Sequence, residues 1–450
     1  MASTIVSRTQ SGSESASGRR TFTFSAWIKR TGLGSCELFG SDSDGARSNN
    51  YFIIDFNGSN QLDISEYVSG SAFRLITNRQ FRDTNGWYHL VLAVDTTQGT
   101  SSNRIKIYIN GVQETSFSTE NYPSQDYQTK MFAQNKVHAF GRSGGQFDGL
   151  ISHCHATEGT AYAPTVFGET DSTTGEWKIT TNVSVNYGTN GFFLFKDDNS
   201  VTNQAGNSSG NFAVSAGTFT KSEDCPSNVF ATFNVLNKVY MNSIANANTT
   251  IGAGNNGTDY SYISATIGAS SGKYYWEAKV TDLAEIDQVG VALASSNFAN
   301  RFSSGGLQAT TFGGKSVQFS NGNKAGDGSQ SAYMGGFSVN DIIMVALDLD
   351  NNKITFGRNG QWSDGSGNAD QTYANSTAAF TNLTAGEVYI PAHAMRASGG
   401  NTGSTSYNFG NGYFGTTAVS SAGTNASNNG IFEYDVPTGF TALSTKGLNL

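Results

Sequence analysis

Hydrophobic and polar residues alternate along most of the chain with a period of two. Phe22, Phe24 and Ile28 share one side of the segment 21–30, and isoleucine occupies every odd position of the segment 105–109. Successive side chains of a β-strand point to opposite faces, so this alternation predicts strands with one buried face. The chain shows no amphipathic helical pattern of convincing length.

Asn-Gly pairs mark many of the boundaries between the alternating segments. Both central residues of a type I′ hairpin turn have positive φ, which Asn and Gly tolerate better than other residues. The pairs therefore predict short antiparallel hairpins. They begin at Asn57, Asn85, Asn110, Asn190, Asn256, Asn321, Asn359, Asn411 and Asn429.

One predicted turn in the second half of the chain allows two interpretations. Asp348, Asp350 and Asn352 have the spacing that opens a calcium-binding loop of EF-hand type. Such a loop needs Gly at its sixth position and Glu at its twelfth, where this chain has Lys353 and Asn359. The flanking residues alternate as strand residues do, so the pattern favours a hairpin over a calcium loop.

The composition is typical of strands joined by polar turns. The 450 residues include 53 glycines and 5 prolines, and 14% of the residues are charged. A chain of this length exceeds one ordinary domain. We predict an all-β fold of two antiparallel β-sandwich (jelly-roll) domains, at 1–196 and 229–412. A polar linker or surface excursion, 197–228, separates them, and a tail, 413–450, packs back on the second sandwich.

Charge and hydropathy argue against two classes of partner. The chain has 27 basic and 35 acidic residues, a net charge of 27 − 35 = −8, and no basic run, so we expect no nucleic-acid binding. Its longest apolar runs are no longer than strands, so we expect no membrane span. Cys36, Cys154 and Cys225 are odd in number and widely spaced, which argues against a disulfide framework and fits folding in a reducing cytoplasm.

Each half of the chain resembles a known domain family. In the second half, the segments YYWEAKV, VGVALAS and SYNFGNG are similar to strands of a SPRY domain. In the first half, FTFSAWIKR and GWYHLVLAVDTT resemble a laminin-G-like sandwich of the concanavalin A type. The SPRY resemblance implies binding of peptides or proteins through the loops between strands.

The combination of the two halves resembles virion-associated proteins of tailed bacteriophages, in particular those of marine phages. The segments FGETDSTTGEWK and FEYDVPTGFTALSTKGL carry this resemblance. It implies a non-enzymatic structural protein of the virion, of the fibre or tail-appendage type, made in the host cytoplasm. Its partners would be other virion proteins, a host-surface polysaccharide or protein, and copies of the same chain in a homo-oligomer such as a trimer. The short lead before the first strand argues against an N-terminal anchor of the usual length.

Three other functions stay open: a capsid decoration protein without a ligand, an intracellular adaptor, and a glycan hydrolase. Hydrolases of the concanavalin A type carry the pattern E-x-D-x-x-E on one strand, where alternation brings two carboxylates to one face. The nearest match, EIDQVG at 285–290, ends in Gly and falls in a predicted loop. We therefore predict that the chain is not an enzyme.

Trp362 and Tyr373 are the predicted ligand-binding residues. Trp362 follows the predicted hairpin and precedes a polar loop that leads to Tyr373. Aromatic side chains in loops can stack on sugar rings or fill a pocket in a partner protein. The alternative is that Trp362 packs beneath its own loop.

Two groups of residues are candidates for metal binding. The resemblance to laminin-G-like domains implies a calcium site at the rim of the first sandwich, for which Asp42 and Asp44 are the candidates. His153 and His155 lie two residues apart on a predicted strand and would share one face, as zinc ligands can. An exposed strand face with Cys154 in the core explains the same pattern without a metal. No cofactor other than the calcium ion is predicted.

Overall fold

Strands form nearly all the regular structure, and the predicted all-β fold of two antiparallel sandwiches is confirmed. The computed structural model describes residues 4–42, 50–141, 145–196, 200–253, 259–296, 305–398 and 402–449. The chain divides into two units, Met1–Lys221 and Ser222–Leu450. No helix within the described ranges is long and apolar enough to cross a bilayer.

The first unit consists of short strands and one turn and a half of α-helix, α1 (Ala16–Arg20), among its described residues. Short 3₁₀ segments occur at Ser101–Asn103 and Pro164–Val166. The strands are β1 (Ile5–Thr9), β2 (Thr21–Arg30), β3 (Cys36–Asp42), β4 (Tyr51–Phe56), β5 (Gln61–Tyr67), β6 (Ser71–Gln80), β7 (Tyr88–Asp95), β8 (Ile105–Ile109), β9 (Val112–Glu114), β10 (Phe117–Asn121), β11 (Val137–Phe140), β12 (Gly149–Glu158), β13 (Gly168–Thr170), β14 (Trp177–Ile179), β15 (Phe192–Leu194) and β16 (Ala213–Ala216).

Two antiparallel sheets enclose the core of the first unit. In the described part of the chain, the larger sheet has the strand order β10-β6-β5-β4-β3-β11-β1-β16, and the smaller has β15-β12-β2-β7-β8-β9. Phe24 and Leu92 of the smaller sheet join Phe52, Ile64 and Leu75 of the larger in one buried cluster. Each such side chain contributes about 1.5–3 kcal/mol when it leaves water, so alternation on both sheets defines the sandwich.

Residues 200–216 belong to the first unit, as an excursion that returns to its larger sheet. Strand β16 pairs with β1 at the edge of that sheet. The buried Arg8 guanidinium donates to Ser209 Oγ at 2.8 Å and to the Gly210 carbonyl at 3.0 Å. It also lies over the Phe212 ring, 4.8 Å from the centroid. Burial lowers the pKa of Arg8 to about 10, because charge is costly away from water.

The second unit repeats the sandwich with a different strand order. Short 3₁₀ segments occur at Gly306–Gln308, Thr310–Phe312, Tyr373–Asn375 and Gly447–Asn449. The strands are β17 (Phe233–Val239), β18 (Ser243–Ala245), β19 (Thr250–Ala253), β20 (Ser261–Ala265), β21 (Lys273–Asp282), β22 (Ile286–Leu293), β23 (Lys315–Gln318), β24 (Lys324–Gly326), β25 (Ser329–Ser331), β26 (Ile342–Asp348), β27 (Lys353–Arg358), β28 (Gln361–Ser363), β29 (Ala369–Gln371), β30 (Tyr389–Arg396), β31 (Gly403–Asn408), β32 (Tyr413–Phe414), β33 (Thr417–Ala418) and β34 (Thr441–Ala442).

The sheets of the second unit bury a core between them. Among the described residues, one sheet runs β17-β20-β30-β22-β23-β24-β25, and the other runs β18-β19-β31-β21-β26-β27-β28-β29, with β34 parallel to β21. Val289 and Met395 of the first sheet pack with Trp276, Val345 and Phe356 of the second. The residues between these core positions, such as Glu277 on β21, therefore face away from the core.

The turn near residue 350 is a hairpin, as the alternation predicted. Strands β26 and β27 pair antiparallel, with Asp348 opposite Lys353. Asn352 has a φ of 53°, the left-handed region that Asn tolerates in such turns. The Asp350 Oδ1 atom accepts a hydrogen bond of 2.7 Å from the Gly272 backbone amide. The Asp348 Oδ1 atom accepts a hydrogen bond of 3.1 Å from the Asn351 backbone amide within the turn, so both carboxylates that suggested a calcium loop accept hydrogen bonds from backbone amides of the protein.

The C-terminal tail packs on the outer side of the sheet that contains β21. Phe432, Val436 and Phe440 of the tail form a buried cluster with Tyr275 and Met344 of that sheet. Phe432 meets Tyr275 edge to face, with ring centroids 4.9 Å apart. The tail thus covers an apolar face of the sheet that is not part of the core between the two sheets.

The side chain of Glu277 holds the tail in place by hydrogen bonds to the backbone of the tail. Its buried carboxylate accepts hydrogen bonds of 2.9 Å from the backbone amides of Glu433 and Tyr434. It also accepts one from the hydroxyl of Tyr275, at 2.9 Å, and one from the amide side chain of Asn408, at 3.3 Å. Burial raises the pKa of Glu277 to about 7, although these hydrogen bonds oppose the effect.

Candidate functional site

The outer face of the smaller sheet in the first unit is the candidate functional site. Along β7, Leu92 points into the core, whereas Ala93 and Asp95 lie on the opposite face. Along β8, Lys106 and Tyr108 share that outer face, since the isoleucines between them face the core. The alternation that builds the core therefore also presents a row of polar and aromatic side chains outward.

An open groove of about 300 Å³ lies on this face. Ala93 forms part of its floor, and the segment 161–163, which follows β12, forms one wall. The loop between β7 and β8 forms the other wall. The polar and aromatic residues that line the groove are Asp95, Gln98, Asn103, Lys106, Tyr108 and Tyr162.

Asp95 is held in one orientation by its own loop. Its Oδ1 atom accepts hydrogen bonds from the backbone amide of Thr97, at 3.1 Å, and from the Thr97 hydroxyl, at 2.6 Å. Its Oδ2 atom accepts one from Gln98 Nε2, at 2.5 Å. Burial alone would raise the pKa of Asp95, but these hydrogen bonds together lower it below its ordinary value. The groove therefore carries a fixed negative charge at neutral pH.

Tyr162 is held on the opposite wall. Its backbone amide donates to Thr23 Oγ1 at 2.7 Å, and its hydroxyl accepts a hydrogen bond of 3.2 Å from the Asn186 amide. Its ring meets Phe167 edge to face, with centroids 6.2 Å apart. The ring is half-buried, so one part of it stays open to the groove.

Two groove residues have donor groups that the fold does not use. Within the described ranges, the Lys106 ammonium and the Tyr108 hydroxyl form no hydrogen bond or ion pair. Both side chains are half-buried, and burial raises the pKa of Tyr108 above its ordinary value. A ligand in the groove could therefore bond to both groups without displacing a contact of the fold.

A stack of aromatic rings lies on the same outer face. Trp27 and His89 stack with ring centroids 4.7 Å apart, and His89 and Trp177 stack at 5.9 Å. Trp177 belongs to the small hairpin β13-β14 that follows the groove wall. The segment 160–190 thus covers part of the outer face and leaves the groove beside it open.

The stack contains a Ser-His pair whose hydrogen bonds run in the wrong direction for nucleophilic catalysis. Trp177 Nε1 donates to His89 Nδ1 at 2.9 Å, and an indole nitrogen can only donate. Burial lowers the pKa of His89 to about 3, so the ring is neutral and its proton is on Nε2. Nε2 then donates to Ser25 Oγ at 2.9 Å, whereas a general base must accept the serine proton.

The second unit contains a buried network of an acid, an imidazole and a phenol. His393 Nδ1 lies 2.7 Å from the Tyr407 hydroxyl, and Nε2 lies 3.3 Å from Asp287 Oδ1. Asp287 Oδ2 accepts a hydrogen bond of 2.9 Å from the Ala284 amide. The sequence pattern predicted a solvent-exposed loop at Asp287. This prediction is wrong, because Asp287 lies on β22 and its side chain is 0% exposed. The neighbouring Glu285 is exposed and pairs with Arg396.

Two family models match the chain, one in each unit. Residues 7–160 match Laminin_G_3, of the concanavalin A-like lectin/glucanases superfamily. Residues 273–406 match the SPRY domain. The chain contains a concanavalin A-like domain followed by a SPRY domain. Both domain resemblances inferred from the sequence are thereby confirmed.

Solved structures similar to the chain include two human SPRY domains. That of human HERC1 is 20% identical and covers 39% of this chain and 96% of its own (TM-score 0.31). The other is 12% identical and covers 38% and 95% (TM-score 0.26). A heptameric SAP-like pentraxin from Limulus polyphemus is 13% identical and covers 36% and 72% (TM-score 0.27). No curated protein matches the chain.

The predicted ligand residues of the SPRY domain lie beside the tail. Trp362 is part of strand β28, not of a loop, and it is 4% exposed. It belongs to the buried cluster that includes Phe432 and Tyr275. Tyr373 is partly buried and meets Trp362 edge to face, with ring centroids 5.0 Å apart. Ligand contact by these rings stays a prediction, and for Trp362 it would require the tail to move.

One of the two predicted calcium residues, Asp42, is at the end of β3 in the concanavalin A-like domain. Asp42 is the last residue of that strand and pairs with Val137 of β11. The side chain of Asp42 and the whole of Asp44 lie outside the described residues. Within the described residues, no group of three or more His, Cys, Asp or Glu side chains is placed to hold a metal ion. The calcium site stays a prediction.

Of the two histidines proposed as zinc ligands, His153 lies within a bulge of β12 and His155 follows it. The pairing register shifts between Ser152 and His155, and His153 has a φ of 46°. His155 is 2% exposed, because Tyr187 and other residues of the covering segment bury it, so an exposed histidine face is wrong there. Burial lowers the pKa of His155 to about 3. Cys154 lies in the core as predicted, and burial raises its thiol pKa.

The groove residues were not recognised as a site from the sequence. Lys106 and Tyr108 alternate with the isoleucines of β8 and so lie on the opposite face, and this alternation is the signal that could have found them. Tyr162 follows β12 in a segment without a regular pattern. No local pattern in the sequence predicts that Tyr162 lies at the face of β7 and β8, because this position depends on the path of the segment 160–190 over that face.

Proposed function

We propose that the chain is a non-enzymatic structural protein of a tailed-phage virion, of the fibre or tail-appendage type. Its two sandwich domains bind host-surface glycans or proteins. Its other partners are virion proteins and further copies of the same chain. This function unites the resemblance of the whole chain to phage virion proteins with the two domain types, both of which are compatible with binding roles.

The open groove of the concanavalin A-like domain is the observation that supports this proposal best. It combines half-buried tyrosines with donors that the fold leaves unused. Ligand sites typically join apolar or aromatic walls with a few placed polar groups. The nearby Ser25 and His89 are arranged for packing, because His89 donates to the serine instead of accepting from it. These features favour binding over bond cleavage.

In a homo-oligomer, even a groove with low affinity for its ligand could contribute to attachment. Several copies that bind one polysaccharide act together, and their combined affinity can exceed that of one site by about 10²–10⁴ when the geometry permits. A virion appendage supplies such a repeated arrangement. The proposal therefore does not require tight binding by a single domain.

Labelling of purified particles tests the proposed location. An antibody to this chain, applied to intact phage particles, is expected to mark an appendage or fibre in electron micrographs. Particles from a phage whose copy of the gene is deleted, if they assemble, provide the matched control. Absence of the chain from washed particles, by labelling and by mass spectrometry, would refute the proposal, whereas label over the head would favour a capsid decoration protein.

A further inference from the structure

We propose that residues 432–442 of the C-terminal tail form a pH-sensitive strap, which docks on the neutral form of Glu277 and loosens when this carboxyl group ionises. The strap covers the outer side of the sheet that contains β21. Its release would uncover Tyr275, Met344 and Trp362, so it is the movement that ligand contact by Trp362 requires. The inference concerns the SPRY domain alone and does not depend on the proposed function.

The strap is attached to the sheet by a few apolar side chains and one short strand. Phe432, Val436 and Phe440 are buried in a cluster with residues of the sheet. Phe440 also meets Tyr373 edge to face, with ring centroids 5.2 Å apart. Strand β34 pairs with β21 over two residues. A segment with so few backbone hydrogen bonds to the sheet can open while the sandwich core stays folded.

The carboxyl group of Glu277 anchors the strap from the sheet. It is 0% exposed, and its two oxygens accept hydrogen bonds of 2.9 Å from the backbone amides of Glu433 and Tyr434. Among the described residues, no basic side chain forms an ion pair with this carboxyl group. An ionised Glu277 in the closed state is therefore a buried charge without a counter-ion, which is costly.

The groups of the sheet that face Glu277 stabilise its charge through hydrogen bonds and not through an ion pair. The Tyr275 hydroxyl donates at 2.9 Å and the Asn408 side chain at 3.3 Å. Burial raises the pKa of Tyr275, so its phenol stays neutral. Lys279 lies two residues along β21 on the same face, but its ammonium forms no hydrogen bond or ion pair within the described ranges. The residue opposite Glu277 on β26 is the apolar Met344.

The strap brings acidic side chains towards Glu277. Glu433 and Asp435 flank Tyr434, whose phenol stays neutral because burial raises its pKa. The backbone amide and the hydroxyl of Thr424 donate to Asp435 at 2.6 and 2.8 Å. These hydrogen bonds lower the pKa of Asp435, so it is an anion at neutral pH. Docking therefore adds negative charge, which disfavours ionisation of the anchor.

Proton binding therefore favours the closed strap. Burial raises the pKa of Glu277 from 4.5 to about 7 in the closed state, whereas solvation on release returns it towards the ordinary value. The neutral carboxyl group keeps its partners, because the Tyr275 hydroxyl can accept as well as donate. The gain in docking is complete below about pH 4.5 and is lost as the pH rises through about 7, a fall of about seventyfold in the docking constant between pH 5 and 8.

Hydrogen–deuterium exchange of the full chain between pH 5 and 8, corrected for intrinsic rates, tests this inference. The protection of the strap is compared with that of β26. Glu277→Gln keeps the shape of the carboxyl group but cannot ionise. Tyr275→Phe removes a donor that favours the ionised form. Glu387→Gln is the matched control, because Glu387 is an exposed glutamate of the same domain.

We expect the strap to exchange faster than β26 at every pH, because it opens while the core stays folded. Its protection should fall by about seventyfold between pH 5 and 8 in the unmodified chain and in Glu387→Gln. Glu277→Gln should abolish this pH dependence. Tyr275→Phe should move the midpoint of the change to higher pH.

Three results overturn the inference: strap protection that stays constant or rises with pH, an undiminished fall in Glu277→Gln, or strap amides that exchange only together with β26. If Glu277→Gln does not fold, an unmoved or lowered midpoint in Tyr275→Phe overturns it alone. None of these results refutes the proposed function, which fails if the chain is missing from particles.

Discussion

His89 illustrates at the residue scale how hydrogen-bond direction separates a structural pair from a catalytic one. A serine and a histidine 2.9 Å apart have the spacing of a nucleophile and its base. The indole Nε1 of Trp177 donates a hydrogen bond to Nδ1 of His89, and this hydrogen bond determines which ring nitrogen of His89 carries the proton. The sequence could not reveal the contact, because Trp177 is 88 residues away along the chain.

The tautomer of His89 can be predicted and observed directly. We expect selectively labelled His89 to show a proton on Nε2 and no titration between pH 5 and 8, because burial lowers its pKa to about 3. Long-range proton–nitrogen NMR of the imidazole ring measures both properties. A ring that titrates near pH 6.5, or that carries its proton on Nδ1, would contradict the structural role.

Two tryptophan variants provide a matched comparison for the same ring. Trp177→Phe removes the donor to Nδ1, so we expect the fixed tautomer to be lost and the free energy of unfolding to fall by about 1–3 kcal/mol beyond the cost of the smaller ring. Trp27→Phe also reduces stacking on His89, but the Trp27 Nε1 atom has no hydrogen-bond partner among the described residues. The Trp27 variant should therefore keep the tautomer.

Turns show at the element scale how far local sequence can predict this fold. Asn110 and Gly111 have φ values of 49° and 79°, and Asn359 and Gly360 have 51° and 88°, as type I′ turns require. Asn57 also precedes a glycine, yet its φ is not positive. The chemistry of a dipeptide permits a turn type, and the register of the flanking strands decides whether it forms.

Asn359 should stabilise its hairpin by about 1–3 kcal/mol over alanine. Its side-chain oxygen accepts a hydrogen bond of 2.8 Å from the Ile342 amide, and alanine would lose this bond and strain the positive φ. Chemical denaturation of Asn359→Ala measures the cost for the SPRY domain. Asn375→Ala is the control, since Asn375 is exposed and its φ is not positive. An equal effect of both substitutions would contradict this account of the turn.

The tail is a second element whose contribution can be measured. Phe432 is 1% exposed and packs against Tyr275, so Phe432→Ala should lower the free energy of unfolding of the SPRY domain by about 3–5 kcal/mol. Ile431 is the adjacent residue and is 37% exposed, so Ile431→Ala should cost much less. Similar losses from the two variants would show that the tail does not dock as described.

At the scale of the whole molecule, the sequence predicts the architecture better than the sites. Alternation, turn signals and the domain resemblances were enough to predict the two sandwiches, because each of these signals is read from residues that are near one another in sequence. The groove joins β7 and β8 to Tyr162, and the cover of Trp362 comes from the tail. Such contacts between distant segments depend on the path of the chain, which local patterns do not specify.

The two domains should respond to acid in opposite directions between pH 7 and 5. In the concanavalin A-like domain, burial lowers the pKa values of His89, His138 and His155 from 6.5 to about 3. Only the unfolded state then gains protons below pH 6.5, which costs roughly 2 kcal/mol for each histidine at pH 5. Burial raises the pKa of Glu66 to about 7, so this group stabilises the folded state as the pH falls. Its effect is smaller than the combined effect of the three histidines, so the domain as a whole loses stability.

In the SPRY domain the sign is reversed. The pKa of Glu277 rises from 4.5 to about 7, so the folded state binds the extra proton and gains stability as pH falls from 7 towards 5. Hydrogen–deuterium exchange of the full chain at both pH values, corrected for intrinsic rates, resolves the two domains. Glu277→Gln should remove the gain in the SPRY domain, and the same direction of change in both domains would contradict the assignment.

Exposure of a host-surface polysaccharide to the full chain tests the central claim most directly, because it measures binding and cleavage in one sample. The retained fraction of the polysaccharide and its chain-length distribution are recorded over several hours. Our account predicts concentration-dependent retention with an unchanged length distribution and no new reducing ends. New reducing ends that vanish when a single Asp or Glu of the concanavalin A-like domain is replaced would contradict it.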